Sequence, residues 1–542
     1  MRLPYLALLV VTTPLAAQRE RVDLLIHHGK IFTADDRSTI RSAAAIRDGR
    51  IVAVGGEELV GRYQPARTID LNGRLAVPGF NDSHIHINGD PKRYIELGDV
   101  RTLTDLLARV TAKARELGPG EWVTGYGWSE DQLAEKRRPL RGDLDRAAPN
   151  NPVILTRAGG HSSVANSKAL ALARVTKATP DPDHGVIEHD ERGEPNGVIR
   201  ERADIVSRLV PEPTAQEVRP SFVAKLKSLL TLGITSIVQA GVTRADFAEW
   251  ERTYRENPGG LPRAAVQIFW AGPDSMRAFG RKTGDGDEWI RVGAVKMLVD
   301  GGFTGPAAYT LAPYKGQPSY RGKLNYTPDE LYRAIKAGHD MGWQFGLHTI
   351  GDGAIALTVS TFDRVLRESP RKDHRHYLNH FSMLPPDSTL ATMARDSILI
   401  TQQANFTYTV EGRYVANLDG WRLEHNNPVR TPMRHGIFVA LSSDILPIGP
   451  MVGLYAAVTR KGMSGRVFGA DERITMAEAI RAYTRNGAFI TREEKLKGTL
   501  EPGRLADIAV LSNDLLTVDP SQILATKVDV TILGGRVVYE RR

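Results

Sequence analysis

The stretch NDSHIHINGD, residues 81–90, sets two histidines one residue apart just after the apolar run RLAVPGF. Residues i and i+2 of a β-strand point to the same face, so His84 and His86 would stand side by side at a strand end, as a pair of metal ligands does. An isolated H-x-H is weak, and two polar residues at a strand–loop junction explain it as well. Four further residues change the weight. Lys296 sits among apolar neighbours in GAVKMLV, where an unpaired ammonium is costly. His348 ends WQFGLHT, His380 ends HYLNH and Asp444 ends GIFVALSSD. Each alone has an ordinary structural explanation: a satisfied core histidine, a snorkelling lysine, a capping aspartate. All six fall at the ends of expected strands, which chance does not readily arrange.

These residue types support one kind of chemistry. Neutral imidazoles and carboxylates hold divalent ions such as zinc and leave positions open for water. A lysine ammonium does not ligate, but its free amine reacts with carbon dioxide to give a carbamate, an anionic ligand able to bridge two ions. Ions so held generate hydroxide at neutral pH, polarise a carbonyl and steady a tetrahedral oxyanion. Asp444 would take the proton of that hydroxide and pass it to a departing amine.

The elements that must position such a cup can be read next. Strand candidates cover residues 74–82, 235–241, 264–270, 291–299, 343–349, 376–380, 397–404 and 436–444, with helical patterns such as PDELYRAIKAGHDMG between most of them. Eight strands alternating with helices predict an α/β fold, a (β/α)8 TIM-type barrel over residues 74–490 with active residues at the strand carboxyl ends. The gap after the first strand far exceeds a usual βα connection. It predicts an insertion subdomain over about residues 90–232, containing the strand-like PVILTRAGG and covering the barrel mouth. Residues 18–73 and 491–542 carry short β-like pieces punctuated by Gly and Asp, and predict one small β-sandwich domain built from both chain ends.

Composition narrows the class. A chain of 542 residues, 41% hydrophobic and 25% charged, suits a large globular enzyme. Its net charge of +8 is spread without basic runs or aromatic interleaving, so no nucleic-acid partner is expected. Cysteine is absent, which excludes disulfides, a thiolate nucleophile and thiolate metal sites. No GxSxG elbow, HExxH helix, P-loop or dinucleotide fingerprint occurs. Residues 1–17, with Arg2, an apolar core from Leu6 to Val11 and PLAA, read as a cleaved signal peptide and predict export to the periplasm or medium. That core is too short to span a bilayer, and no later segment is long enough for an integral membrane helix.

The chain resembles the amidohydrolase superfamily, and within it the YtcJ-like group (amidohydrolase family 3) that includes N-substituted formamide deformylase. VPGFNDSHIHI, GHSSVANSKAL, HGVIEHDERGEPNGVIRE, VKMLVDGGFTG, LHTIGDGAI and LKGTLEPGRLADIAVLS carry the resemblance along nearly the whole chain. It implies metal ligation by His84, His86, Lys296 in free or carboxylated form, His348 and His380, with Asp444 as both ligand and catalytic proton shuttle. One divalent ion or two, zinc foremost, both stay open. Two positions depart from the pattern: Asn379 where relatives often carry Glu before the histidine, and Gly353 where they often carry Arg after Gly-Asp. TGYGWSEDQL and RAGGHSSVANSKAL resemble the family's pocket-lining segments, making Tyr126, Trp128 and His161 candidate substrate contacts; anchoring of the subdomain is the competing reading for the two aromatics. Asp352 orients His348, binds substrate or simply forms a turn. The other histidines, His27 and His28 included, are read as surface or structural.

The expected function is therefore an exported, metal-dependent hydrolase acting on the C–N bond of an amide or N-acyl small molecule. The same cup would serve an esterase, a lactonase or a deaminase, since the pocket and not the metal chemistry decides. A binding protein on this scaffold is the competitor from another class. Beyond a small-molecule substrate no partner is called for, and homo-oligomerisation is left open.

Overall fold

The computed structural model describes residues 19–130, 132–158, 160, 162–183, 185–303 and 306–542. The expected signal segment, residues 1–17, and His161 lie outside the described residues. The chain forms two compact units: the residues up to His86 together with Lys227–Arg542, and Ile87–Leu226.

In the larger unit eight strands run parallel: β1 (Phe80–Ile85), β2 (Ile234–Val242), β3 (Arg263–Phe269), β4 (Ile290–Lys296), β5 (Gly346–Thr349), β6 (Tyr377–His380), β7 (Leu399–Gln402) and β8 (Val439–Leu441). β1 to β4 form one ladder, with Asp82 opposite Ile237 and Val266 opposite Val292. β5 to β8 form another, with His348 opposite Asn379 and His380 opposite Gln402. Isolated parallel bridges join the ladders, Val295 to Phe345 and Leu298 to His348 on one side and Ile85 to Asp444 on the other. The sheet thus closes into a barrel.

The strands are buried nearly throughout, as expected for a parallel sheet covered by helices. Those helices start where capping chemistry allows. Thr243 opens Arg244–Glu256 and Thr327 opens Pro328–Asp340; in each the hydroxyl accepts an N–H three residues on, and that residue's carboxylate accepts the threonine N–H. Leu331, Ile335, Gly338 and His339 form the buried stripe of the second helix.

The run RLAVPGFND, expected as one strand, divides at Gly79. Leu75–Pro78 joins a different sheet, and β1 begins at Phe80. A Cβ on residue 79 would stand 2.1 Å from Thr235 Oγ1, so only glycine lets the chain cross here. The second sheet has six strands, in the order Arg536–Glu540, Val528–Leu533, Ile508–Leu511, Leu75–Pro78, Lys30–Phe32, Ile40–Arg41, and so pairs the two ends of the chain. A four-stranded sheet of Arg50–Gly55, Ala43–Arg47, Glu20–His27 and Tyr63–Asp70 shares its core: Leu24, Ile26 and Ile46 pack with Ile31, Ile508, Val530 and Ile532.

The unit Ile87–Leu226 holds a six-stranded mixed sheet, in the order Val186–His189, Pro195–Arg200, Ser162–Ala165, Val153–Arg157, Val123–Trp128, Tyr94–Glu96. Leu106 and Val110 of the helix Leu103–Leu117 pack on it. Among the described residues no helix is long and apolar enough to cross a membrane.

A buried ion pair ties β3 to the C-terminal strands. Arg263 donates from Nε to Asp507 Oδ2 at 2.8 Å and from Nη1 to the Glu288 carbonyl at 2.9 Å, and stacks on Trp289. Asp507 also accepts the Gly534 N–H at 2.8 Å. Removing one partner of such a pair leaves the other charge buried and uncompensated. Asp507→Asn is therefore expected to cost about 3 kcal/mol, read as a lower urea midpoint; an unchanged midpoint would show the pair to be dispensable.

Candidate metal centre

Six of the residues singled out by type and spacing come together at the carboxyl ends of the barrel strands. Lys296 is the last residue of β4 and His380 the last of β6. His84 and His348 stand one residue before the ends of β1 and β5, His86 one beyond β1, and Asp444 three beyond β8. The His84 and His380 ring centroids are 4.6 Å apart, those of His348 and His380 4.3 Å, and those of His84 and His86 5.3 Å. Asp444 lies 3.8 Å from His86 Nε2 through one oxygen and 3.9 Å from His380 Nδ1 through the other. One ligand atom from each of His84, His380 and Asp444 falls within 4.8 Å of the other two.

The backbone is bent to achieve this. His380 and Asp444 adopt left-handed conformations, with φ of 74° and 58°. Such residues each cost roughly 1–3 kcal/mol and persist only where the surroundings impose them. Here the Asp444 N–H donates to the His84 carbonyl at 2.9 Å. One residue earlier, the Ser443 N–H donates to Asp82 Oδ1 at 3.0 Å, and the Ser443 hydroxyl donates to Asp82 Oδ2.

What fits a metal is the set of bare nitrogens. Both ring nitrogens of His84, and Nε2 of His348 and of His380, are buried without a hydrogen-bond partner. Orphaned buried polar atoms are destabilising, and a cation that accepts their lone pairs removes the cost. The hydrogen bonds around His380 fix which nitrogen is bare. The Ser442 hydroxyl donates to the Gln402 carbonyl and so accepts from Gln403 Nε2 at 2.8 Å. Gln403 therefore turns Oε1 to His380 Nδ1, at 2.7 Å, and His380 presents Nε2 unprotonated. His348 Nε2 is 3.9 Å from Asp300, whose carboxylate accepts the N–H groups of Tyr309, Ile350 and Gly351 at 2.9–3.0 Å.

Burial dominates the electrostatics. It holds His84 and His380 well below the usual imidazole range, and pushes His86 to about 4 and His348 to about 3; the Lys296 charge acts in the same direction. All four rings are then neutral, the form that ligates. Burial also lowers Lys296, against the attraction of Asp444, and raises Asp444, against the attraction of Lys296. Asp82 and Asp300 are raised to about 7 by burial.

The remaining candidates are placed differently. Asp352 opens the helix Asp352–Glu368, and its Oδ1 accepts the N–H groups of Leu311 at 2.9 Å and Gly353 at 3.0 Å, so it pins the preceding loop. A Cβ on Gly353 would stand 2.8 Å from Tyr309 Cδ1, so the Tyr309 ring packs directly on this glycine. Asn379 donates to the Gly346 carbonyl at 3.0 Å and accepts from Thr401 Oγ1 at 2.7 Å, bracing β5, β6 and β7 without a charge. Trp128 is buried in the core of the unit Ile87–Leu226, with Nε1 donating to the Leu155 carbonyl at 3.3 Å. That is an anchoring placement and not a pocket-lining one. Tyr126 is exposed.

Three contributors went unnoticed in the sequence. Asp82 shares the strand alternation of His84 and His86, a signal that was available. Asp300 ends the apolar run VKMLVD, a weaker one. Gln403 carried none.

Residues 67–539 match the amidohydrolase family. The chain is 29% identical over 531 residues to YtcJ of Bacillus subtilis (strain 168), named as an amidohydrolase, covering 95% of this chain and 99% of that one. It is 29% identical over 549 residues to the N-substituted formamide deformylase of Arthrobacter pascens, covering 96% and 98%. An uncharacterised metal-dependent hydrolase from Pyrococcus furiosus superposes with a TM-score of 0.71 at 25% identity, covering 91% of this chain and 100% of that chain. A zinc-bound adenosine deaminase from Xanthomonas campestris shares the fold, with a TM-score of 0.54 at 14% identity, covering 96% and 93%.

Loss of the Gln403 carbonyl frees the His380 ring to change tautomer. Gln403→Leu is expected to weaken metal retention about 10–100-fold, measured by titrating bound metal with a chelator; retention equal to wild type would remove Gln403 from the site.

Proposed function

The chain belongs to the amidohydrolase family, and from that premise we propose that it hydrolyses the C–N bond of an amide or N-acyl small molecule. The observation that carries this reading is the group of bare, neutral imidazole nitrogens gathered with Asp444 at the carboxyl ends of the barrel strands. His84, His86, His348, His380 and Asp444 would hold one or two divalent ions, zinc being the first choice for such donors. A bound ion of this kind supplies Lewis acidity to water and to the substrate carbonyl. Burial pushes Lys296 toward its neutral amine, against the attraction of Asp444. That is the form that adds carbon dioxide, and the carbamate would exchange an ammonium for an anionic ligand.

Asp444 has the second role. Burial raises its carboxyl above the usual carboxylate range, against the attraction of Lys296, which suits it to take up and release a proton. It would accept the proton of the attacking water on a carboxylate oxygen and hand it to the leaving nitrogen. The carboxyl-end rim sets the substrate's character. Phe269 at the end of β3, Leu298 just after β4, and Ile445 and Leu446 just after Asp444 all expose large apolar side chains. They favour an uncharged compound with an apolar substituent, and similarity to a formamide deformylase makes N-substituted formamides the first class to try.

Export completes the reading: mature protein from the periplasm or medium is expected to begin after Ala17 by N-terminal sequencing, and an intact Met1 would refute it. For the reaction, N-alkyl and N-aryl formamides, longer N-acyl amines, lactones and aminated heterocycles should be assayed side by side. Turnover is expected among the amides, with Asp444→Asn lowering kcat about 10²–10⁴-fold in a protein of unchanged circular dichroism. Turnover confined to lactones or aminated rings would overturn the bond assignment, and full activity in Asp444→Asn would overturn the mechanism.

A further inference from the structure

Away from the barrel, the four-stranded sheet gathers donors that the proposed reaction does not use. We propose that His27, His28 and Glu57 form a second divalent-cation site, suited to zinc, with Asp70 orienting His28.

His27 ends the strand Glu20–His27, and Asp70, at the end of Tyr63–Asp70, is its register partner. His28 follows with φ of 56°, which swings its ring beside that of His27, with centroids 4.1 Å apart. Glu57 Oε2 faces both rings, 3.8 Å from His27 Nδ1 and 3.4 Å from His28 Nε2. The three donor atoms lie within 4.8 Å of one another. Tetrahedral zinc, with bonds of about 2.0–2.1 Å, sets its ligand atoms about 3.4 Å apart, so the spacing needs little adjustment.

Two further features point to a cation. Asp70 Oδ2 lies 3.2 Å from His28 Nδ1; by accepting the Nδ1–H it leaves the Nε2 lone pair directed at Glu57, the carboxylate–histidine–metal arrangement. Glu57 is held in place as well, its Oε1 accepting the His28 N–H at 3.0 Å. Independently, His27 is only 8% exposed and its Nδ1 is buried with no hydrogen-bond partner, although it faces Glu57. Two neutral imidazoles and two carboxylates sum to a negative site matched to a dication. The competing arrangement is an imidazolium at His28 bridging Asp70 and Glu57 with no ion. The sequence concealed the cluster, because adjacent residues of a regular strand point to opposite faces.

The inference is independent of the proposed reaction. Full-length protein would be dialysed against micromolar zinc and its metal content measured by mass spectrometry. Wild type is expected to retain one more zinc per chain than either Glu57→Gln or His28→Ala, whatever number the barrel holds, and Lys296→Ala is expected to keep that extra ion. Glu57 and His28 are both exposed, so neither substitution threatens folding. Equal zinc in wild type and both variants would overturn the site and leave His28 as a bridging imidazolium.

Discussion

One main-chain hydrogen bond, from the Asp444 N–H to the His84 carbonyl, closes the barrel and sets its metal cup in the same contact. The Ile85–Asp444 bridge joins β1 to the residues just after β8, so the seam is also where His84 and the Asp444 carboxylate are brought into register. Asp82 reinforces it from below by accepting both hydrogen bonds of Ser443. The left-handed turn at Asp444 follows from this seam: the residue must leave the strand direction for its carboxylate to reach His86 and His380. Of the other candidate ligands, Lys296 and His348 need only the ordinary register of β4 and β5, whereas His380 ends β6 in a left-handed conformation of its own.

Burial then acts on every group in the cup, with opposite signs on acids and bases. It drives imidazoles and the Lys296 amine toward their neutral forms by lowering them, and Asp82, Asp300 and Asp444 toward theirs by raising them. The Lys296–Asp444 attraction opposes both shifts without cancelling either. A site tuned in this way is poor at holding isolated charges and good at holding a cation together with several lone pairs. A buried nitrogen without a hydrogen-bond partner beside a carboxylate recurs at His27.

The surroundings of the cup are braced by neutral groups. Asn379, next to His380, links three strands laterally, and Gln403 just after β7 sets the His380 tautomer. Tyr309 packs against Gly353, where a Cβ would meet its ring. Neutral side chains here are in keeping with the apolar residues exposed at the strand ends.

The sequence by itself singled out the candidate donors and the alternation of strands and helices that carries them. Strand alternation put His84 and His86 on one face, and the recurrence of ligand types at the ends of apolar runs identified Lys296, His348, His380 and Asp444, because both signals are local. The tertiary structure decided the rest. Gln403, Asp300 and the pairing of Asp82 with Ser443, 361 residues away, depend on partners that no local pattern reveals. Trp128 carried a pocket-like motif, yet its burial in a separate core makes it an anchor. The run through Gly79 divided between two sheets because Thr235 packs against that glycine, and His27 and His28 met because one residue turned left-handed. Desolvation and hydrogen-bond partnership are properties of the folded neighbourhood: composition supplies the groups, and only closure of the barrel and packing of the sheets decide which of them lose their water and which nitrogen is left bare.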